Sequence, residues 1–461
     1  MDAIYDLAKY IVNTRYEDIP QNVVKIAKKF IIDSIGVGMA GSSAPGNAEI
    51  MDLIKEWGGK KESSILVYGT KVPAPFAAFA NSILIHSNDY DDTHDQTATH
   101  ANVTALPAAL SIAEKMGVTG KELITAVILG VDLTCRLALA SNLFHGWHNT
   151  ATVGVFGATA AAGKILGLGQ EQMVNAMGIA YSQAAGNRQG RQDGALTKRL
   201  QPAFSTKAGV TSAIFAQRGV TGAKNVIQGE WGFFRLYHDP SRKFEPDKWA
   251  NVLKDGLGER FEVANLGTKP YPCVRCSHAS IDGALDLAIH QNIKAGEIEE
   301  VTIYTNQRVI DTAGGPFKIR TDPLVDAQFS IPYTIATALI RKKINLDTFE
   351  EKTIRDREIG KLAAKVKVVL DPEFEQSVAV EGPIRIRIKM RDGKEMDHRV
   401  EIARGHPQNP LNEQELSEKF RDCLKHAVKP IPHQKIEKIL SMLMELEEAN
   451  NIAQVVRLIN A

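Results

Sequence analysis

Val23-Val-Lys-Ile-Ala-Lys-Lys-Phe-Ile-Ile-Asp-Ser-Ile35 repeats its apolar side chains at intervals of three and four, the period of an amphipathic helix. The same spacing runs to about residue 240. Within it, Ala101 to Ala113, Gly154 to Leu168 and Ala203 to Gly219 are dense in alanine and glycine, which lets helices pack closely. After Gly267 the period changes to two. Val301-Thr-Ile303 and Val366-Lys-Val368 alternate, as do Ile384, Ile386, Ile388 and Met390 before Asp392-Gly393 and His398, Val400 and Ile402 after it. The last two runs read as a hairpin with a type I′ turn. Helical stretches, Ser277 to Gln291 and Pro332 to Ile344, lie between the strands.

The fold class that follows is mainly α with a smaller α+β domain. A helical domain spans residues 1–265, an α+β domain 266–400, and C-terminal helices over 401–461 return to the helical domain. Gly405-His-Pro-Gln-Asn-Pro410 is a turn-rich crossing, and Asn412 with Glu415 has the form of a capping box. No repeat or long linker divides the chain, so the lobes are expected to act as one unit with a cleft between them.

Among 461 residues, 55 Lys and Arg stand against 54 Asp and Glu, interleaved along the chain, which argues against a nucleic-acid partner. Four cysteines are too few for a disulfide framework, and the acidic start, Met1-Asp2-Ala3, does not read as a secretion signal. The expected location is cytoplasmic. Leu123 to Ala140 is apolar but carries Asp132 and Arg136, so no membrane span is expected.

The densest polar stretch is His86-Ser-Asn-Asp-Tyr-Asp-Asp-Thr-His-Asp-Gln-Thr-Ala-Thr-His100. If the helix before it continues, Asp89 and Thr93 share a face one turn apart. A solvated loop is the bland alternative, but mixed imidazoles, carboxylates and hydroxyls suit proton transfer near neutral pH. A metal site is a rival that lacks a matching second cluster or HExxH spacing. Cys273-Val-Arg-Cys276 is a lone CxxC, better read as structural thiols. Gly36-Val-Gly-Met-Ala-Gly41 matches a dinucleotide fingerprint but is followed by Ser-Ser-Ala-Pro45, not by a helix. His145-Gly-Trp-His148, Thr197-Lys-Arg-Leu200 and Lys269-Pro-Tyr-Pro-Cys-Val-Arg275 add cations and imidazoles suited to chemistry beside a carboxylate. Tyr333 adds a phenol, with a satisfied core tyrosine as its alternative.

In order along nearly the whole chain, Asp89-Tyr-Asp-Asp-Thr93 with His100, Gly146-Trp-His148, Gly154-Val-Phe-Gly157, Thr197-Lys198, Lys269-Pro-Tyr-Pro-Cys with His278-Ala-Ser-Ile-Asp282, and Pro407-Gln-Asn-Pro-Leu411 resemble the MmgE/PrpD family. The resemblance implies a homodimer of small-carboxylate enzymes, with a helical domain, an α+β lid domain and a site that needs no metal or organic cofactor. Asp89, Thr93, His100, His148, Lys198, Lys269 and Tyr333 match its active-site positions. His100 and His148 are the proton-transfer candidates, Lys198 and Lys269 the carboxylate and carbanion binders, and Arg199, Arg275 and His278 further substrate contacts. The expected activity is a lyase, foremost a dehydratase of a citrate-like di- or tricarboxylate. The alternatives are an epimerase of an iminodisuccinate-like substrate, a cis-aconitate-type decarboxylase and a silent dimeric carboxylate-binding protein. Val274 stands where the decarboxylases have a histidine, and Gln201 where many members have one.

Overall fold

The computed structural model describes residues 1–141, 146–291, 293–320, 322–375, 377 and 382–460. The chain forms two compact units, one of Met1–Gln189, Thr197–Leu266 and Glu413–Ala461, the other of Gly190–Leu196 and Gly267–Asn412.

The first unit is helical. Its framework is α1 (Gln21–Gly41), α2 (Ala74–His86), α3 (Asn102–Met116), α4 (Gly120–Ser141), α5 (Asn149–Ile165) and α6 (Thr197–Gln217). Helix α5 packs against α3, α4 and α6, and α2 packs against α1, α3 and α6. Small residues permit this. A Cβ on Gly157 would stand 2.5 Å from the Gly130 carbonyl oxygen, and one on Gly209 would stand 2.8 Å from the Thr159 amide nitrogen. Helix α4 is long and apolar enough to cross a membrane, yet 94% of its apolar window is buried inside the protein. Its Arg136, buried at 1% exposure, bonds Asp132 at 2.7 Å and the carbonyls of Asp255 and Arg260. Helix α4 is thus a core helix. The last helices, including α9 (Glu413–Lys425), lie in this unit too.

The second unit carries a four-stranded sheet in the order β2 (Val366–Leu370), β1 (Ile298–Thr305), β3 (Ile384–Met390) and β4 (Glu395–Val400). The β1–β2 pair is parallel and the others are antiparallel. Alternate residues Val301, Ile303, Ile384, Ile386 and Ile388 are buried, the pattern of a sheet covered on one face. Helix α7 (His278–His290) covers it, with α8 (Ile331–Arg341) packed against α7.

Three local expectations are corrected. The hairpin turn is not type I′, because Gly393 (φ +88°) has a positive φ and Asp392 does not. Gly393 N–H bonds the Met390 carbonyl and Met390 N–H bonds that of Lys394, making a three-residue loop with a glycine bulge. The crossing at 401–412 belongs to the second unit rather than to the C-terminal helices. Thr268 N–H bonds Gly405 O at 2.8 Å, and Arg404 N–H bonds the Asp282 carboxylate at 2.7 Å. Gly190–Leu196 also joins that unit, where Arg320 donates to Gln192 O and Arg191 lies 5.5 Å from the Phe329 ring centroid.

Candidate active site

Helix α2 ends at His86, so Asp89 and Thr93 do not share a helical face. Asp89 takes φ +51°, a left-handed conformation that aspartate tolerates better than most residues. It lies in a loop between α2 and α3 that is buried almost throughout. A buried loop must satisfy its polar groups internally. Asp92 accepts from the amides of Ala101 (2.9 Å) and Asn102 (3.2 Å) at the start of α3. Burial and the neighbouring Asp91 charge push its carboxyl up to about 7 against those amides. His94 N–H closes a bridge to Thr99 O at 2.7 Å, and Thr93 Oγ1 donates to Asp95 at 3.1 Å.

Asp91 lies against two imidazoles, 2.8 Å from His86 Nδ1 and 3.6 Å from His100 Nδ1. His100 Nδ1 is also 2.5 Å from the Asp92 carbonyl, which can only accept, so the neutral ring carries its proton on Nδ1 and leaves Nε2 as the acceptor. His86 is fully buried, and its Nε2 has no hydrogen-bond partner among the described residues. Burial lowers its pKa. Its ring centroid is 5.1 Å from that of His100 and 6.1 Å from that of His148. His86, Asp91 and His100 each offer a ligand atom within 4.8 Å of the others, a spacing that a divalent cation would accept.

His148 stands at the N-cap position of α5, its side chain making no capping hydrogen bond, and is partly buried. Its pKa lies well below the ordinary value, first because of burial, then because Lys198, His86 and His100 place positive charge nearby. It is therefore neutral at physiological pH. Lys198, in the first turn of α6, forms a 2.5 Å ion pair with Asp89. His100, His148, Lys198 and Asp89 thus belong to one connected polar cluster of the first unit. Arg199 points elsewhere, its guanidinium 3.4 Å from Pro45 O and the residue 4% exposed. His145 lies outside the described residues.

Lys269, Arg275, His278 and Tyr333 belong to the second unit. Lys269 is buried. Arg275 donates to Arg404 O at 2.9 Å and lies 3.3 Å from His278 Nδ1, while His278 Nε2 is 3.3 Å from Cys273 O. With 4% and 0% exposure, this pair is built into the scaffold. Tyr333 is wholly buried in the apolar core and its hydroxyl donates to Thr348 O at 2.5 Å, the arrangement of a satisfied core tyrosine. Burial raises its pKa. Cys273 and Cys276 are buried and not joined in a disulfide. The glycines of Gly36-Val-Gly-Met-Ala-Gly41 lie inside α1, where a Cβ on Gly41 would stand 1.9 Å from Leu84 O, so they serve helix packing.

Both domain models of one family, and relatives with two printed activities, match this chain. The MmgE/PrpD N-terminal domain model matches residues 5–245 and the C-terminal domain model residues 271–445. The chain is 25% identical to a cis-aconitate decarboxylase of Aspergillus terreus over 99% of this chain and 95% of that protein. It is 27% identical to the cis-aconitate decarboxylase of Homo sapiens over 92% and 88%. With a 2-methylcitrate dehydratase of Escherichia coli it shares 23% identity over 80% and 78%. With both domain models matched in order around the clustered His100, His148, Lys198 and Asp89, the chain belongs to the MmgE/PrpD family.

Proposed function

We propose that the protein is a lyase of a small di- or tricarboxylate, foremost a dehydratase, with proton transfer centred on the polar cluster of the first unit. The observation that carries this reading is the placing of His148 in one polar cluster with His86 and the Lys198–Asp89 ion pair, where burial holds its pKa below the ordinary value. A neutral imidazole takes the proton α to a carboxylate. The Lys198 ammonium then stabilises the enolate-like charge as it develops, an interaction stronger in the transition state than with the substrate. His100, its Nδ1–H held by the Asp92 carbonyl beside the Asp91 carboxylate, donates from Nε2 in its imidazolium form to the leaving hydroxyl. Asp89 orients Lys198, and Lys269 keeps the role that the resemblance gives it, a cation for a substrate carboxylate.

Decarboxylation is the second reading, supported by the cis-aconitate decarboxylases of Aspergillus terreus and Homo sapiens that match 99% and 92% of the chain. Val274 weighs against it. Proton NMR in D₂O with citrate-like and iminosuccinate-like substrates separates the possibilities. Dehydration gives a vinyl signal with loss of substrate. Carbon dioxide release with that signal moves the assignment to decarboxylation, exchange of the α proton without elimination to epimerisation, and saturable binding without any exchange to the silent binding protein.

The homodimer belongs to the same reading. Phe204 (54% exposed) and Phe215 (48% exposed) stand on one face of α6, an apolar surface suited to an identical copy. Light scattering at micromolar concentration is expected to give about twice the 50.4 kDa chain mass, reduced to the single mass by Phe204→Lys. A monomer in the unmodified protein refutes it.

A further inference from the structure

We infer that Gln201 is the positioning residue that fixes His148 as an Nε2 base while adding no charge beside it. The inference rests on His148 being the proton acceptor of the proposed lyase. Gln201, 8% exposed on α6, has its Oε1 2.9 Å from the Asn187 backbone nitrogen and 3.1 Å from His148 Nδ1. A backbone N–H can only donate, which identifies the shared atom as the amide oxygen. Both of its lone pairs are then engaged, and the oxygen can accept only from an Nδ1–H of His148. The neutral ring must therefore carry its proton on Nδ1 and present the lone pair of Nε2.

The loop before α6 is shaped to hold this arrangement. Trp147 and Asn187 form an antiparallel bridge, His148 N–H bonds Gly186 O at 3.2 Å, and Arg188 N–H bonds Gly146 O at 2.8 Å. Gly186 has φ +120°, and a Cβ there would stand 2.7 Å from the Ala151 side chain and 3.2 Å from Gln201 Oε1. Only glycine lets this loop come close enough for the Asn187 amide to reach the same oxygen that orients His148.

The choice of an amide has a chemical consequence. A carboxylate at the same place would hold the same tautomer, but it would also stabilise the imidazolium and raise the pKa. The titratable groups that face His148 are Lys198 on α6, His86 on α2 and His100 in the loop, and in their cationic forms all three favour its neutral form. Gln201 leaves that balance in place. It separates the two tasks that a carboxylate would combine, orientation of the ring and stabilisation of its proton.

The test is nitrogen NMR of the full-length protein labelled with ¹⁵N-histidine, the His148 signals being those lost in His148→Asn. The unmodified protein is expected to show a protonated Nδ1 and an unprotonated Nε2. Gln201→Leu is expected to lose this preference and to lower kcat by about tenfold or more, with KM changed less than about threefold. Gln201→Glu is expected to keep the tautomer and to raise the His148 pKa by about one unit or more, the acid limb of kcat/KM moving with it. That conservative variant also covers the case in which the leucine variant fails to fold. An unchanged tautomer in Gln201→Leu, or an unchanged His148 titration in Gln201→Glu, overturns the inference. The nitrogen signals need no substrate, so failure to find turnover counts against the lyase reading and not against the role of Gln201.

Discussion

His148→Asn lowers kcat by about a hundredfold or more, the range that a positioned acid–base group contributes, and leaves the thermal midpoint within about 3 °C. Asparagine is chosen because His148 occupies the N-cap of α5, where Asn is among the favoured residues. The fold is thus kept while the basic nitrogen is lost. An unfolded variant would mean that the imidazole is a packing element, and full turnover would remove it from the chemistry.

The same substitution changes the response to acid. In the folded protein burial lowers the pKa of both His148 and His86 beneath the ordinary 6.5, the value expected in the unfolded chain. Below pH 6.5 the unfolded chain therefore takes up protons that the folded protein refuses. Stability falls as pH drops through that window until the folded pKa values are reached. His148→Asn removes one of the two contributions, so its urea midpoint falls less steeply below pH 6.5 than that of the unmodified protein. Equal slopes would mean that His148 is not held neutral by the fold.

The legible part of the molecule was the part governed by local period and chemistry. The three-and-four spacing of Val23 to Ile35 gives a helix, and the two-residue spacing at Ile384 to Met390 gives a strand, because each pattern buries one face. Asp89 and His100 stand out in the densest polar stretch, and His148 and Lys198 among small neighbours, where ionisable groups are costly unless used. The end of α2 is not legible, since the left-handed turn at Asp89, though aspartate tolerates it, depends on contacts such as that to Lys198 on a distant helix. His86 and Asp91 fall within that polar stretch, but nothing local assigns either a role. The signal for His86 was an imidazole closing the apolar run Ile83-Leu-Ile85. Tyr333 shows the opposite failure: a phenol is visible in sequence, but not whether a distant carbonyl such as Thr348 O satisfies it. In sequence Gln201 is only a departure from the family, because its meaning lies in the Asn187 amide on a different element.

The largest expected effect on stability comes from a pair that sequence alone does not connect. Lys419 on α9 extends its ammonium to Asp33 on α1 at 2.6 Å, to the Tyr90 carbonyl at 2.9 Å and over the Tyr90 ring at 3.8 Å from the centroid. Both side chains are almost fully buried, at 5% and 1% exposure. Lys419→Met removes the cation and leaves the Asp33 carboxylate in the core, which costs about 3–5 kcal/mol. The double variant Asp33→Asn with Lys419→Met removes both charges and is expected to recover more than half of that loss, a coupling that a double-mutant cycle in urea measures directly. A loss under about 1 kcal/mol for Lys419→Met would mean that the pair is solvated and contributes little. The position of Tyr90, between Asp89 and Asp91, ties this strut to the chemistry. Releasing its carbonyl loosens the loop that aims Asp89 at Lys198 and Asp91 at His86 and His100, so the double variant is expected to stay folded yet turn over more slowly than the unmodified protein.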